Sequence, residues 1–142
     1  MPIINTDNLT RCVETLEAAL GGLAGEEPGN QMYNVFRGAC MNEFQVILEM
    51  TASLLRRRLR PYFATVSQVN ELTFRRVFRE AAKAGLISTE ECRRWLAYRD
   101  RRNVMAHHYG SEFAEQALEV LPSLVEDGRR IAEIIGAETD EE

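Results

Sequence analysis

The sequence has little of what marks a membrane, secreted, metal-binding or cofactor-binding protein. No apolar run approaches the roughly 18 residues that a membrane span requires. The N-terminal MPIINTDNLT lacks the basic-then-apolar pattern of a secretory signal. Together these predict a cytoplasmic protein with no membrane partner. Cysteine is scarce: Cys12, Cys40 and Cys92 are odd in number, widely spaced and set in apolar helical stretches. That pattern predicts buried free thiols, neither disulfide-bonded nor metal-bound. The two histidines are adjacent and no CxxC or HExxH occurs, so a zinc site has no ligand set and no metal is expected. No GxxxxGK[ST] phosphate loop occurs among the glycines, and GGLAG at 21–25 reads as a turn ending a helix. No cofactor is expected. Alternating apolar and polar runs are missing as well, which removes β-sheet from the expected fold.

What is present is helical periodicity. Leu9, Cys12/Val13, Leu16, Ala19/Leu20 and Leu23 mark one face of a first helix, with Thr6 or Asp7 able to cap it and Gly21, Gly22 and Gly25 placed to end it. After the loop EEPGN, with Asn30 as a cap, a long segment from about Gln31 to Arg60 keeps Tyr33, Phe36, Cys40, Phe44, Ile47/Leu48, Leu54/Leu55 and Leu59 on one side until Pro61 stops it. A polar stretch, Thr65–Glu71, precedes a short helix carrying Phe74, Val77 and Phe78, which Gly85 ends. Ser88 and Glu91 form a capping box for a further helix through Trp95. A last helical region from Phe113 to Ile135 contains Pro122, which should kink or split it. The expected fold is all-α: an up-and-down four-helix bundle with an additional short helix. A chain this long buries about 68–70% of its unfolded surface. Residues 1–142 are therefore read as one domain with a frayed acidic tail over about 137–142.

Charge is the second informative feature. The chain has 17 Lys and Arg against 22 Asp and Glu, a formal net charge of −5 that argues against a general nucleic-acid binder. Yet residues 56–102 hold 13 basic and five acidic side chains, a net +8, so the flanks carry −13. Lys83 is the only lysine among the 17, and arginine supplies the planar fork suited to bidentate phosphate contacts. Exposed charge is by default a solvated face, paired with nearby acids. A basic centre between acidic flanks nevertheless suits a phosphate-bearing or acidic partner.

The sharpest local feature is YRDRRNVMAHHYG at 98–110, which gathers Arg99, Arg101, Arg102, Asn103, His107, His108 and Tyr109. These groups bind phosphate and move protons near neutral pH. Five residues on an ideal helix separate Arg102 from His107 by about 140° of rotation. The two converge only if the helix ends near His107, or if a second copy faces the first across a two-fold axis. The plain alternative is that a histidine here caps the helix C-terminus, where a cation is favoured. Tyr109 reads equally well as a packing aromatic.

With RNVMAHHY matching an Arg-x4-His-x-Tyr signature, a long aromatic-rich second helix (Tyr33, Phe36, Phe44), REAAKAGLI at 79–87 and Trp95, the chain resembles HEPN domains over residues 8–136. The branch is that of nucleotidyltransferase substrate-binding proteins. The resemblance implies an antiparallel four-helix bundle that forms a homodimer and brings two motifs together. It also implies the toxin of a toxin–antitoxin pair, a metal-independent endoribonuclease acting on RNA. Arg102 and His107 would be catalytic and Asn103 supportive, with Arg99 and Arg101 holding RNA phosphates. A minimal nucleotidyltransferase encoded nearby would act as antitoxin, binding the protein and transferring AMP to Tyr109. The alternative within the same resemblance is a non-catalytic nucleotide- or substrate-binding subunit of a two-protein nucleotidyltransferase.

Overall fold

The computed structural model describes residues 3–107 and 111–137; the side chains of residues 104–107, 111 and 113 lie outside that description. Four long helices make the bundle: α1 (Asp7–Ala24), α2 (Gln31–Leu59), α5 (Thr89–His107) and α7 (Leu121–Gly136). Three short ones, α3 (Val66–Asn70), α4 (Phe74–Lys83) and α6 (Ser111–Leu118), fill the connections. Helices α5 and α7 run antiparallel, as the cross-links show: Arg94 of α5 meets Asp127 of α7, while Glu91, a turn earlier, meets Arg130, a turn later. The fold is thus an all-α up-and-down bundle with the expected short helix, α4, packed beside α2 and α5. None of the described helices is long and apolar enough to cross a membrane.

The helix ends follow local chemistry. Ser88 and Glu91 form the expected capping box: the Glu91 amide donates to Ser88 Oγ, and the Ser88 amide donates to Glu91 Oε1, both at 3.0 Å. At the end of α4, Gly85 has φ +79°, and the Leu86 and Gly85 amides donate to the Ala81 and Ala82 carbonyls at 2.9 and 3.0 Å. This left-handed stop favours glycine because a Cβ would collide with the following carbonyl. Pro61 falls in the single 3₁₀ turn Arg60–Tyr62 that closes α2, and Pro122 begins α7, splitting the last helical region as expected.

Two local expectations, on the glycines and the caps, are corrected, and one stretch read only as polar is helical. Gly21 and Gly22 lie inside α1, and only Gly25 ends it. Gly22 has a packing role, since a Cβ there would stand 2.5 Å from the Phe36 ring of α2. The polar stretch Thr65–Glu71 holds α3, opened by a capping box in which Thr65 Oγ1 accepts from the Gln68 amide. Thr6 and Asn30 occupy the N-cap positions of α1 and α2, but neither side chain makes a capping bond.

The core is one continuous cluster that draws on every long helix, including Leu9, Val13, Phe44, Leu48, Leu55, Trp95, Leu124 and Ile131. An aromatic ladder joins α4 to α5: Phe74 to Phe78 at 4.7 Å, Phe78 to Trp95 at 5.2 Å, and Trp95 to Tyr98 edge-on at 5.5 Å. The three cysteines are free, with Cys40 and Cys92 buried and Cys12 only half-buried. Burial pushes the Cys40 thiol up to about 11, so it stays protonated and packs as a small apolar group.

Candidate functional site

The C-terminal half of α5 is a hub. Each residue advances about 100° around the helix, so five consecutive positions cover its whole circumference. Their partners lie on four different helices. Tyr98 reaches Asp127 and Ser123 of α7 at 2.5 and 2.6 Å. Arg99 lays its guanidinium over the Phe74 ring of α4 at 5.0 Å, and Asp100 pairs with Arg75 of α4 at 3.4 Å. Arg101 donates to the Gln116 carbonyl of α6 at 2.8 Å, with Glu119 at 3.8 Å. Arg102 turns inward to α2, where its Nη2 lies 3.7 Å from Glu49 Oε1.

The structure therefore gathers the three candidate arginines on one turn but aims them at three helices. The Arg102 side chain is 21% exposed against 41% for Arg101, and its distance from Glu49 is an ion pair's and longer than a hydrogen bond's. Among the described residues its fork keeps donors free for another oxygen ligand. Asn103 is half-buried beside it. The helix continues unbroken to His107, five residues beyond Arg102. The His107 side chain lies outside the described residues, as do His108, Tyr109 and Gly110 altogether.

The segment after the motif is tied down from the other side. Glu115 of α6 accepts from the Tyr33 hydroxyl of α2 at 2.7 Å and from Arg37 at 3.0 Å. That hydrogen bond and burial hold the Tyr33 phenol above its ordinary range. An open cavity of about 530 Å³ beside this cluster is lined by Pro28, Gly29, Tyr33, Asn34, Arg37 and Glu115. Together with the Arg101 bond to Gln116, this clamp fixes α6 against both α2 and α5.

The N-terminal half of α5 is locked to α7 by a polar seam. Asp127, nearly buried, accepts from Arg94 Nε and Nη2 at 2.8 and 2.9 Å and from the Tyr98 hydroxyl. This is the bidentate arrangement that an arginine fork favours. In the reciprocal direction Arg130 of α7 donates to buried Glu91 at 2.6 Å. Burial alone would raise the Glu91 carboxyl, but Arg130 and Ser88 outweigh it and hold the group below its ordinary value. Tyr98 is pushed well above the ordinary phenol range by burial and by the Asp127 carboxylate. The seam fixes the rotation of α5 and hence the direction in which Arg102 points.

Sequence reasoning missed Glu49, Glu115 and Asp127. For Asp127 a signal existed: it sits on the apolar face of α7, three residues after Leu124 and four before Ile131. A charge at such a position implies a buried partner. Glu49 and Glu115 lie on exposed faces and carry no comparable mark. Among the described residues no group of three His, Cys, Asp or Glu is placed to hold a metal.

An up-and-down helical bundle with an arginine-rich end on its third long helix defines the class of protein. Residues 5–133 match the family model described as nucleotidyltransferase substrate binding protein like, and the chain belongs to that family. A "Probable ribonuclease HepT" of Haemophilus influenzae is 30% identical over 74 residues, covering 52% of this chain and 49% of that protein. The chain thus spans about half the length of this curated relative. Among solved structures, HI0074 of Haemophilus influenzae, described as the fold of a substrate binding domain of a nucleotidyltransferase, superimposes with a TM-score of 0.77 at 22% identity over 92% of this chain and 98% of that one. A protein from Thermus thermophilus gives 0.68 at 21% identity over 89% and 99%. At these identities the two structures establish the fold alone.

Proposed function

We propose that the protein is a HEPN-type, metal-independent endoribonuclease, the toxin of a toxin–antitoxin pair, active as a homodimer. The observation that carries this reading is Arg102, held largely inside the bundle by a loose ion pair, on a helix that runs on to His107 in an Arg-x4-His-x-Tyr sequence. The relation to a probable ribonuclease and the family membership support it.

The chemistry needs a base to take the proton of a 2′-hydroxyl, cations for the charge on the phosphorane, and an acid to protonate the departing 5′-oxygen. A histidine titrates near pH 6.5 and serves either proton transfer. About 140° of helical rotation separates Arg102 from His107, and in this reading a two-fold axis brings two motifs into one cleft, the arginine of one protomer beside the histidine of its partner. Arg102 exchanges its 3.7 Å contact with Glu49 for a phosphate oxygen and stabilises the transition state. Asn103 supports the phosphate. Tyr109, two residues from His107, takes AMP from a partner nucleotidyltransferase that also binds the protein, and the added anion repels RNA from the site.

The test is cleavage of RNA by the purified protein in EDTA. Wild type cleaves, and Arg102→Ala and His107→Ala each lower the rate by about 100-fold or more, the loss typical of removing a charge-stabilising or proton-transferring group. Activity surviving both substitutions overturns the reading. The second reading, a non-catalytic subunit presenting substrate to a nucleotidyltransferase, is favoured by the family's own description. It predicts a stable complex with the partner and no cleavage by the free protein.

A further inference from the structure

Helix α4 is the most sharply two-sided element of the fold. Phe74, Val77, Phe78 and Ala81 are buried, while Arg75, Arg76, Arg79 and Lys83 are all exposed. At 100° per residue these four cations fall within an arc of about 100°, and they extend about 12 Å along the axis. One acid, Glu80, borders the arc and pairs loosely with Arg76 at 3.9 Å. Arg75 meets Asp100 at 3.4 Å with both side chains largely in water. Among the described residues Arg79 and Lys83 form no ion pair, nor do the exposed Arg57 and Arg60 at the end of α2.

The position of the arc is as informative as its charge. Its N-terminal end lies against α5 at Arg99 and Asp100, as the Arg99–Phe74 and Arg75–Asp100 contacts show. Arg102 lies three residues beyond Arg99, about 4.5 Å along the helix and about 60° around it toward α2. Arg56 binds the Leu72 carbonyl at 2.9 Å just before α4, which brings the cationic end of α2 to the same edge. The arc presents no exposed aromatic or large apolar side chain, the anchors on which protein interfaces depend. A run of exposed, mostly guanidinium cations without an apolar centre suits a phosphodiester backbone.

We propose that the α4 arc of Arg75, Arg76, Arg79 and Lys83 is a backbone-binding track that holds single-stranded RNA leading to Arg102. This rests on the reading of the Arg102 site as an RNA-cleaving one. The track grips phosphates regardless of sequence and sets the RNA's approach, leaving the chemistry to the motif. Its contribution is to affinity and to the apparent KM.

The experiment uses the full chain and a fluorescein-labelled 2′-O-methyl oligoribonucleotide, which has no free 2′-hydroxyl and is therefore bound without being cut. Affinity is measured against salt for wild type, for the double variant Arg79→Gln/Lys83→Gln, and for Arg129→Gln on α7 as a remote control. The expected result is about tenfold weaker binding by the double variant at low salt, with a log–log salt slope shallower by about 1.4, from about 0.7 counterions per cation on a single strand. Arg129→Gln should match wild type. An unchanged slope alongside RNA cleavage by the wild type overturns the track and leaves the reading of the Arg102 site standing. A wild type that neither binds the oligonucleotide nor cleaves RNA overturns both. Loss of a nucleotidyltransferase complex in the double variant, with RNA binding unaltered, assigns the arc to a protein partner and also overturns the proposal.

Discussion

Helices α4 and α7 both pack against α5, and both carry adjacent arginines, yet the two sets do different things. On α7, Arg130 donates to Glu91 of α5, Arg129 pairs with Glu17 of α1, and Asp127 receives Arg94 and Tyr98. Every one of these contacts joins two helices. On α4 the cations stand in water or in loose pairs of 3.4 and 3.9 Å. The difference teaches that arginine content alone does not mark a binding surface. What distinguishes the two is how the acid on the neighbouring helix meets the guanidinium: Glu91 and Asp127 are buried and within 2.9 Å of theirs, whereas Asp100 is exposed and stands 3.4 Å from Arg75.

Substitution can break or sharpen this contrast. The largest effect on stability is expected from Arg94→Ala, which leaves Asp127 buried with only the Tyr98 hydroxyl for company. An unfolding free energy lower by about 3 kcal/mol is expected in urea titration, at the lower end for a broken pair because Arg94 is itself partly solvated. A loss below about 0.5 kcal/mol would make the seam as dispensable as the arc.

A smaller effect, about 1 kcal/mol, is expected from Glu91→Gln, which weakens the bond from Arg130. Its pH dependence is diagnostic. The folded-state value of Glu91 lies below its ordinary 4.5, so its contribution is fully present above that value and is lost as the pH falls through the depressed one. Wild type should lose stability below about pH 4.5 more steeply than the variant. Parallel acid profiles for the two would remove Glu91 from the account.

The smallest effect belongs to the arc. Arg79→Gln/Lys83→Gln should change unfolding free energy by less than about 0.5 kcal/mol, because both side chains are exposed and neither has an ionic partner among the described residues. A circular-dichroism melt matching wild type would confirm that α4 keeps these cations for something other than the fold.

Much of the fold was legible from local pattern. The apolar spacing of α1, α2, α5 and α7, the Ser88–Glu91 capping box, the Gly85 stop and the breaks at Pro61 and Pro122 are all encoded within a few residues. Even α3, which sequence reading passed over as polar, carries a Thr-x-x-Gln box at its start. The misread glycines of α1 show the limit. Gly22 is kept clear by a ring 14 residues away on α2, and nothing in the local pattern distinguishes that use from a helix stop.

For the candidate site, sequence named the residue types and their spacing, and the tertiary structure decided where they point. RNVMAHHY nominates Arg102, Asn103, His107 and Tyr109 as candidates with no knowledge of the fold, because the motif is contiguous. That Arg102 turns toward Glu49 while Arg101 grips α6 and Arg99 covers Phe74 depends on the 100° step of α5 and on the helices around it. The excess of positive charge in residues 56–102 was likewise a matter of counting. Its division into arginines that tie helices together and arginines that face solvent arises only when α5 and α7 are brought face to face. An ion pair between residues 33 apart, such as Arg94 and Asp127, is made by packing and has no local signature.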